Sequence, residues 1–121
     1  MEMDRPSIVI YVDGIDETIL TSLLYGIEEE SIPYKLEAKV FEDAAQAAYE
    51  AALASSLQVG IGGSRNTLCL HHKSLKKEQP YQVLEHVSIV PSRILRSLGS
   101  NAARIVKGIP LKSLELLEVK Q

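Results

Sequence analysis

Three adjacent carboxylates end a predicted helix in the stretch GIEEES, residues 26–31. Acidic side chains at a helix C-terminus oppose the helix dipole, so this placement is slightly unfavourable. One interpretation is that the three side chains are simply solvated. The other is that one of them offers a hard oxygen ligand to a cation outside the chain, because carboxylate oxygens are preferred by Mg²⁺ and Ca²⁺. The residues alone leave both interpretations open.

A basic stripe is predicted on another helix, in the stretch PSRILRSLGSNAARIVKG, residues 91–108. At about 100° per residue, four cationic side chains and one serine fall on a narrow face opposite an apolar stripe. This face could be solvated, or it could meet an acidic partner or a phosphate backbone. The face consists of Arg93, Arg96, Ser100, Arg104 and Lys107.

A glycine cluster in LQVGIGGSRNTLCLHH, residues 57–72, could cradle a phosphate or only turn the chain. Counting from Gly60, both a dinucleotide-binding loop and a P-loop need glycine where Arg65 stands. A strand is expected after the cluster, so no helix N-terminus faces a ligand there. We therefore expect Gly62 and Gly63 to supply positive φ in a hairpin.

Cys69, His71 and His72 are further residues with ligand chemistry. Strand alternation places Cys69 and His71 on one face and His72 on the other, whereas a zinc site needs three or four ligands together. Cys69 lies inside an apolar strand, where thiols are usually inert. No serine stands in a G-x-S-x-G elbow. We therefore expect no catalytic residue and no cofactor of the chain's own.

The elements that must position these side chains alternate between strand and helix. Residues 34–41 alternate between apolar and polar, which predicts a strand with one wet face near a sheet edge. Strands 57–62 and 66–72 are joined by a short glycine-rich link, so they should be antiparallel. The predicted elements are strand 7–12, helix 18–31, strand 34–41, helix 42–56, strand 57–62, strand 66–72, helix 88–107 starting near Pro91, and a last element 111–119 that is either a strand, which we favour, or a short helix.

This order predicts the α/β class, as three α/β/α layers around a mixed five-stranded sheet with one antiparallel strand. The length of 121 residues predicts a single domain over residues 1–121. The net charge of −3 disfavours a free-standing nucleic-acid binder. No apolar run is long enough to cross a bilayer. The one cysteine is typical of a reducing cytosol, so we expect a cytoplasmic protein. From the net charge and the lack of a spanning apolar run we expect no nucleic-acid partner and no membrane partner.

Four segments resemble one known family, and they occur in its order and at its spacing: LYGIEEESIP, FEDAAQAAYEAALASS, LQVGIG and LRSLGSNAARIVKGIPL. The chain resembles the small subunits of diol/glycerol dehydratase-reactivating factors. That family also includes the medium subunits of the adenosylcobalamin-dependent dehydratases. The similarity covers about residues 7–111, and its most specific part is G-x-N-A-x-x-x-x-K-x-x-P from Gly99 to Pro110. The resemblance also implies a fold like that of anticodon-binding domains.

The resemblance implies a role that needs no active site. Reactivating factors are ATP-dependent, chaperone-like complexes that release damaged cobalamin from the dehydratase. The large subunit hydrolyses ATP, and the small subunit exchanges with the dehydratase medium subunit. By resemblance we expect two copies of each subunit, with Mg²⁺ and ADP or ATP in the large one. The expected localisation is the cytoplasm, with the protein either free or in a bacterial microcompartment.

The resemblance also implies site residues. A glutamate in the family's G-x-E-E stretch reaches the magnesium near the large subunit's nucleotide, and the matching residue here is Glu29. One departure is Ser31, because family members often have glycine or another residue smaller than serine there. The predicted partner-binding residues are Glu28, Arg93, Arg96, Arg104 and Lys107.

Two other functions stay open. The chain could be a dehydratase medium subunit, although medium subunits carry long extra segments that 121 residues do not accommodate. It could also be an RNA-binding module, which the implied fold and the basic stripe suggest. The acidic isoelectric point, about 5.6, argues against RNA binding.

Overall fold

The elements follow the order β-α-β-α-β-β-β-α in a computed structural model, which describes residues 5–115. The strands are β1 (Ile8–Asp13), β2 (Tyr34–Ala38), β3 (Val59–Ser64), β4 (Thr67–His72) and β5 (Gln82–Glu85). The helices are α1 (Glu17–Glu29), α2 (Ala44–Ala54) and α3 (Ser92–Lys107), with a 3₁₀ turn at Val87–Ile89 before α3.

Within residues 5–115 the strands form a five-stranded sheet in the order β2-β1-β3-β4-β5. β1 pairs in parallel with both β2 and β3. β4 is antiparallel to both β3 and β5. β4 is therefore the strand that runs against the other four, which confirms the predicted mixed sheet with one antiparallel strand.

Helices cover both faces of the sheet and make three layers, as predicted. Because successive strand residues point to opposite faces, β1 contributes to two cores. Ile8 and Ile10 join the larger core under α1 and α3. Val9 and Tyr11 pack on the other face against Ala47 of α2 and its neighbours. β1, an inner strand of the sheet, is thus buried on both sides, as its continuous apolar run predicts.

Glycines let α2 lie directly on β3. A Cβ at Gly60 or Gly62 would overlap the backbone of α2, so no other residue type fits at this distance. This corrects the predicted role of Gly62 and Gly63 in the hairpin turn. The residues that adopt positive φ there are Arg65 and Asn66, at 51° and 65°. The cluster serves helix–sheet packing, and its glycines lie inside the strand.

Two predictions about strands are wrong in part. β2 lies at the sheet edge as expected, but Leu36 on its expected buried face is 42% exposed because the helices pack over the inner strands. Residues 111–115 of the predicted final strand form no strand, and the rest of that prediction lies outside the described residues. The fifth strand is β5, in which Leu84 alone is buried. Four residues are too few for a periodicity to be recognised.

Candidate functional site

Two glycines bring the acidic end of α1 against the basic stripe of α3. A Cβ at Gly26 would overlap the carbonyl oxygen of Arg96, and one at Gly99 would overlap that of Leu23. The two helix backbones therefore touch where they cross. The carboxylates and the cations, which the sequence presents as separate features, face each other across this crossing.

Glu30, the residue that caps the C-terminus of α1, is bound on both carboxylate oxygens. Ser100 Oγ donates to Oε2 at 2.7 Å, and Arg104 Nε donates to the same oxygen at 2.9 Å. Lys107 Nζ donates to Oε1 at 2.9 Å. These three hydrogen bonds, first that from Ser100, lower the pKa of Glu30 from 4.5 to about 2. Glu30 is therefore a structural carboxylate with little capacity left for another ligand.

Glu29 is only loosely paired. Its Oε2 lies 3.9 Å from Arg96 Nε, and its Oε1 lies 4.0 Å from Lys112 Nζ. Both distances exceed the range of a hydrogen bond. The side chain is 50% exposed. Its oxygens can therefore accept a further cation or donor from outside the chain.

Glu28 faces a different neighbour. Tyr34 Oη donates to Glu28 Oε2 at 3.1 Å. Burial of the phenol, and then this hydrogen bond to a carboxylate, raise the pKa of Tyr34. The three adjacent acids thus have three environments: Glu28 binds a tyrosine, Glu30 binds α3, and Glu29 points outward between two cations.

The basic stripe divides into two halves. Arg104 and Lys107 bind Glu30, and Ser100 is fully buried beside them. The interpretation of this half as a solvated outer face holds only in part, because α1 supplies an acidic partner for cations that are still partly exposed. Arg93 and Arg96 in the other half are exposed. The partner-binding roles of these residues and of Glu28 stay predictions, as does the role of Glu29.

Residues missed by sequence reasoning complete the site. Lys112 flanks Glu29 from the segment after α3, and Asn101, fully buried in α3, holds the backbone of Lys112. The signal for the ion pairs is the presence of an acidic run and a basic stripe of opposite charge in one short chain. Asn101 is the asparagine of the motif from Gly99 to Pro110, but no local pattern indicates its partners, because they are distant along the chain.

The other candidate ligands are held inside the fold. Cys69 and His71 share a face, as predicted, and both lie under α2. Burial, and then the nearby carboxylates of Asp43 and Glu85, raise the pKa of the Cys69 thiol to about 12. His71 accepts a hydrogen bond on Nδ1 from the His72 backbone, and its Nε2 lies 3.1 Å from the Lys77 carbonyl oxygen.

Residues 5–115 can be checked for a metal-ligand cluster and for a membrane-spanning helix. No three His, Cys, Asp or Glu side chains between residues 5 and 115 converge to hold a metal ion. An outward carboxylate such as Glu29 fits a different arrangement, in which a metal takes its other ligands from another chain or from water. Of the helices within residues 5–115, none has the length and apolar character to span a bilayer.

Comparison with known proteins gives consistent results. Residues 5–112 match the model of a family described as dehydratase medium subunit. The propanediol dehydratase-reactivating factor small subunit of Salmonella typhimurium strain LT2 is 40% identical over 90% of this chain and 92% of its own length. The diol dehydratase-reactivating factor small subunit of Klebsiella michiganensis is 41% identical, over 90% of this chain and 86% of its own length.

Two solved structures share the fold. One chain of a diol dehydratase-reactivating factor complexed with ADP and Mg²⁺ superimposes with a TM-score of 0.81 at 37% identity, covering 91% of this chain and all of the other. One chain of a glycerol dehydratase reactivase gives a TM-score of 0.85 at 30% identity, covering 92% of this chain and all of the other. The architecture described above is therefore that of both proteins.

Proposed function

The chain belongs to the dehydratase medium subunit family, and from this we propose that it is the small subunit of a reactivating factor for an adenosylcobalamin-dependent diol or glycerol dehydratase. The observation that carries the proposal is the match to curated reactivating factor small subunits over about nine tenths of both lengths. In this proposal the chain is non-catalytic, and ATP hydrolysis belongs to a large partner subunit.

The proposed action is exchange of places with the dehydratase medium subunit, which opens the enzyme and lets damaged cobalamin leave. Membership of one family gives this a physical basis, because two chains of one fold can occupy the same surface of a partner. Exchange is a shift between two complexes. A coupling of about 1–3 kcal/mol between nucleotide state and affinity suffices to bias it.

Glu29 is the proposed contact with the large subunit's nucleotide site, where it would supply one oxygen ligand to Mg²⁺. Its exposure and long ion pairs support this role, since no short hydrogen bond from residues 5–115 occupies its oxygens. Mg²⁺ bound there would link the nucleotide to the interface. Glu28, Arg93 and Arg96 are proposed as further partner-binding residues, and Arg104 and Lys107 hold the acidic end of α1 in place.

We propose a complex with two copies of each subunit, working in the cytoplasm, either free or within a bacterial microcompartment. The buried free thiol of Cys69 fits a reducing compartment. Because the matching family model is described as dehydratase medium subunit, a second candidate is a medium subunit of the dehydratase itself. That candidate predicts co-purification with the catalytic chains and diol turnover once adenosylcobalamin is added.

The test is Glu29→Gln, measured as affinity for the large subunit with and without ADP and Mg²⁺. We expect the affinity in the presence of ADP and Mg²⁺ to fall about tenfold, because one charged ligand is lost, while the thermal midpoint of the isolated chain stays unchanged. Glu37→Gln makes the same change on an exposed carboxylate of β2 and serves as the matched control.

Two results would overturn the proposal. One is a wild-type chain that binds neither the large subunit nor the dehydratase when mixed with them. The other is turnover of a substrate by the purified chain alone. Unchanged affinity of Glu29→Gln would remove the assigned contact.

A further inference from the structure

Asn101 joins three parts of the fold through one buried amide. Its Oδ1 accepts the Lys112 backbone N–H at 2.7 Å, and its Nδ2 donates to the Lys112 carbonyl oxygen at 2.9 Å. The same nitrogen donates to Gln82 Oε1 on β5 at 3.0 Å. The side chain is fully buried. It thus binds both polar groups of one residue, as a neighbouring strand would.

The segment between α3 and Lys112 is held at a second point. Arg104 Nη1 donates to the Pro110 carbonyl oxygen at 3.0 Å, and the Ile109 N–H donates to the Arg104 carbonyl oxygen at 3.1 Å. The backbone from Ile109 to Lys112 is therefore positioned by α3. These contacts fix the backbone of Lys112 and so limit the positions that its side chain can reach.

That side chain completes a charge cluster around Glu29. Lys112 Nζ approaches one carboxylate oxygen to 4.0 Å, and Arg96 Nε approaches the other to 3.9 Å. Two cations around one carboxylate leave the cluster with a net positive charge. A lone carboxylate would be repelled by anionic phosphates, whereas this cluster is attracted to them and still presents oxygen ligands to a metal.

We propose that Asn101 is a positioning residue that clamps Lys112 beside Glu29, so that Arg96 and Lys112 flank one metal-ligating carboxylate. The partner surface that complements this cluster carries a cation surrounded by anionic oxygens, which is the chemistry of a Mg²⁺–nucleoside diphosphate. Lys112 and Arg96 contact its phosphates. This inference rests on the proposed function of Glu29.

The experiment uses Lys112→Gln, Asn101→Ala, their double variant, and Asn101→Ser as a smaller change should Asn101→Ala not fold. Lys76→Gln removes the same charge from an exposed loop and is the control. Affinity for the large subunit is measured with ADP and Mg²⁺ at low and high salt. Amide hydrogen exchange at residue 112 is measured in the isolated chain.

We expect Lys112→Gln to weaken binding at low salt about fivefold, and less at high salt, because an exposed charge at a rim is screened. Asn101→Ala or Asn101→Ser should weaken it to a similar degree and abolish the protection of the residue-112 amide. The double variant should be no weaker than either single one, since both act through one contact. Lys76→Gln should bind like the wild type.

The inference is overturned if the residue-112 amide stays protected in both Asn101 variants. It is also overturned if Lys112→Gln binds like the wild type while Glu29→Gln is weakened. If Glu29→Gln binds normally, the proposed function of Glu29 fails and the assigned partner chemistry fails with it. Loss of protection in the Asn101 variants would still support the clamp in that case.

Discussion

Glu30 shows how a carboxylate at an unfavourable position becomes structural. The end of α1 carries partial negative charge, so an acid there needs compensation. Compensation comes from Arg104 and Lys107, which lie 74 and 77 residues further along the chain. Among the described residues, the cations near Glu29, one residue earlier, lie 3.9 and 4.0 Å from its oxygens. Glu29, the proposed partner ligand, thus differs from Glu30 because α3 already binds both carboxylate oxygens of Glu30.

Glu30→Gln should lower the free energy of unfolding by about 1–2 kcal/mol at neutral pH, a figure reduced because Arg104 and Lys107 are partly solvated. The folded-state pKa is depressed from 4.5 to about 2. The wild type therefore holds this contribution above pH 4.5 and loses it as the pH falls towards 2. Urea denaturation across that range should show the loss in the wild type and little of it in the variant. Glu37→Gln, the control, should show the same dependence of the free energy of unfolding on pH as the wild type.

Ser31 is the residue after the α1 cap, and it lies in the left-handed region at φ 63°. Glycine adopts this conformation without the steric penalty of a Cβ. Ser31→Gly should therefore stabilise the chain by about 0.5–1 kcal/mol, measured as a shift of the denaturation midpoint. Ser56→Gly, at an exposed turn that is not left-handed, is the control. Destabilisation by Ser31→Gly would contradict the assigned strain.

Glycine has two packing roles among the helices and strands. Gly60 and Gly62 let the backbone of α2 rest on β3, and Gly26 and Gly99 let α1 touch α3. The second contact brings the charged ends of the two helices within reach of each other. Both pairs are placed where a side chain would separate two backbones, and neither pair is required by φ.

Gly26→Ala should destabilise the chain by about 3 kcal/mol or more, because the added methyl overlaps the Arg96 carbonyl and the helices must separate. In an unpacked helix the same change would stabilise by about 1 kcal/mol. The sign of the effect is therefore diagnostic. Thirteen-residue α1 offers Thr21→Ala on its exposed face as a control, which should be close to neutral. Equilibrium unfolding measures both.

Part of the charge of the whole molecule lies in ion pairs between the acidic end of α1 and the basic stripe of α3. The net charge is −3, and both cations in the C-terminal half of the basic stripe, Arg104 and Lys107, are paired with Glu30 at the end of α1. A phosphate backbone would have to compete with Glu30 for those cations. The stripe is consequently a poor surface for nucleic acid, and a better one for a partner that engages Glu29.

We expect no RNA binding tighter than about 10⁻⁴ M at physiological salt, because too few cations are available for counterion release. Fluorescence anisotropy with a labelled single-stranded RNA measures this. Salt-dependent binding that disappears in the combined variant Arg93→Gln, Arg96→Gln, Arg104→Gln would instead support the RNA-binding alternative.

Most of the architecture can be predicted from local patterns. The apolar run of β1, the Asp16 side chain that accepts the Thr18 N–H at the start of α1, and the left-handed Gly108 after α3 are each local features of a few neighbouring residues. The family could be identified for the same reason, since its motifs are continuous in sequence. β5 was missed because four residues with one buried side chain carry no periodicity.

The site could be predicted only in outline. The sequence indicates that residues 28–30 and the basic stripe are unusual, but which carboxylate is bound and which is exposed depends on the crossing of α1 and α3. Lys112 is held near the site by Asn101, a buried side chain whose hydrogen bonds reach residues 11 and 19 positions away along the chain. Packing between distant segments sets these pairings, whereas hydrophobic periodicity and helix caps are local and can be read along the chain.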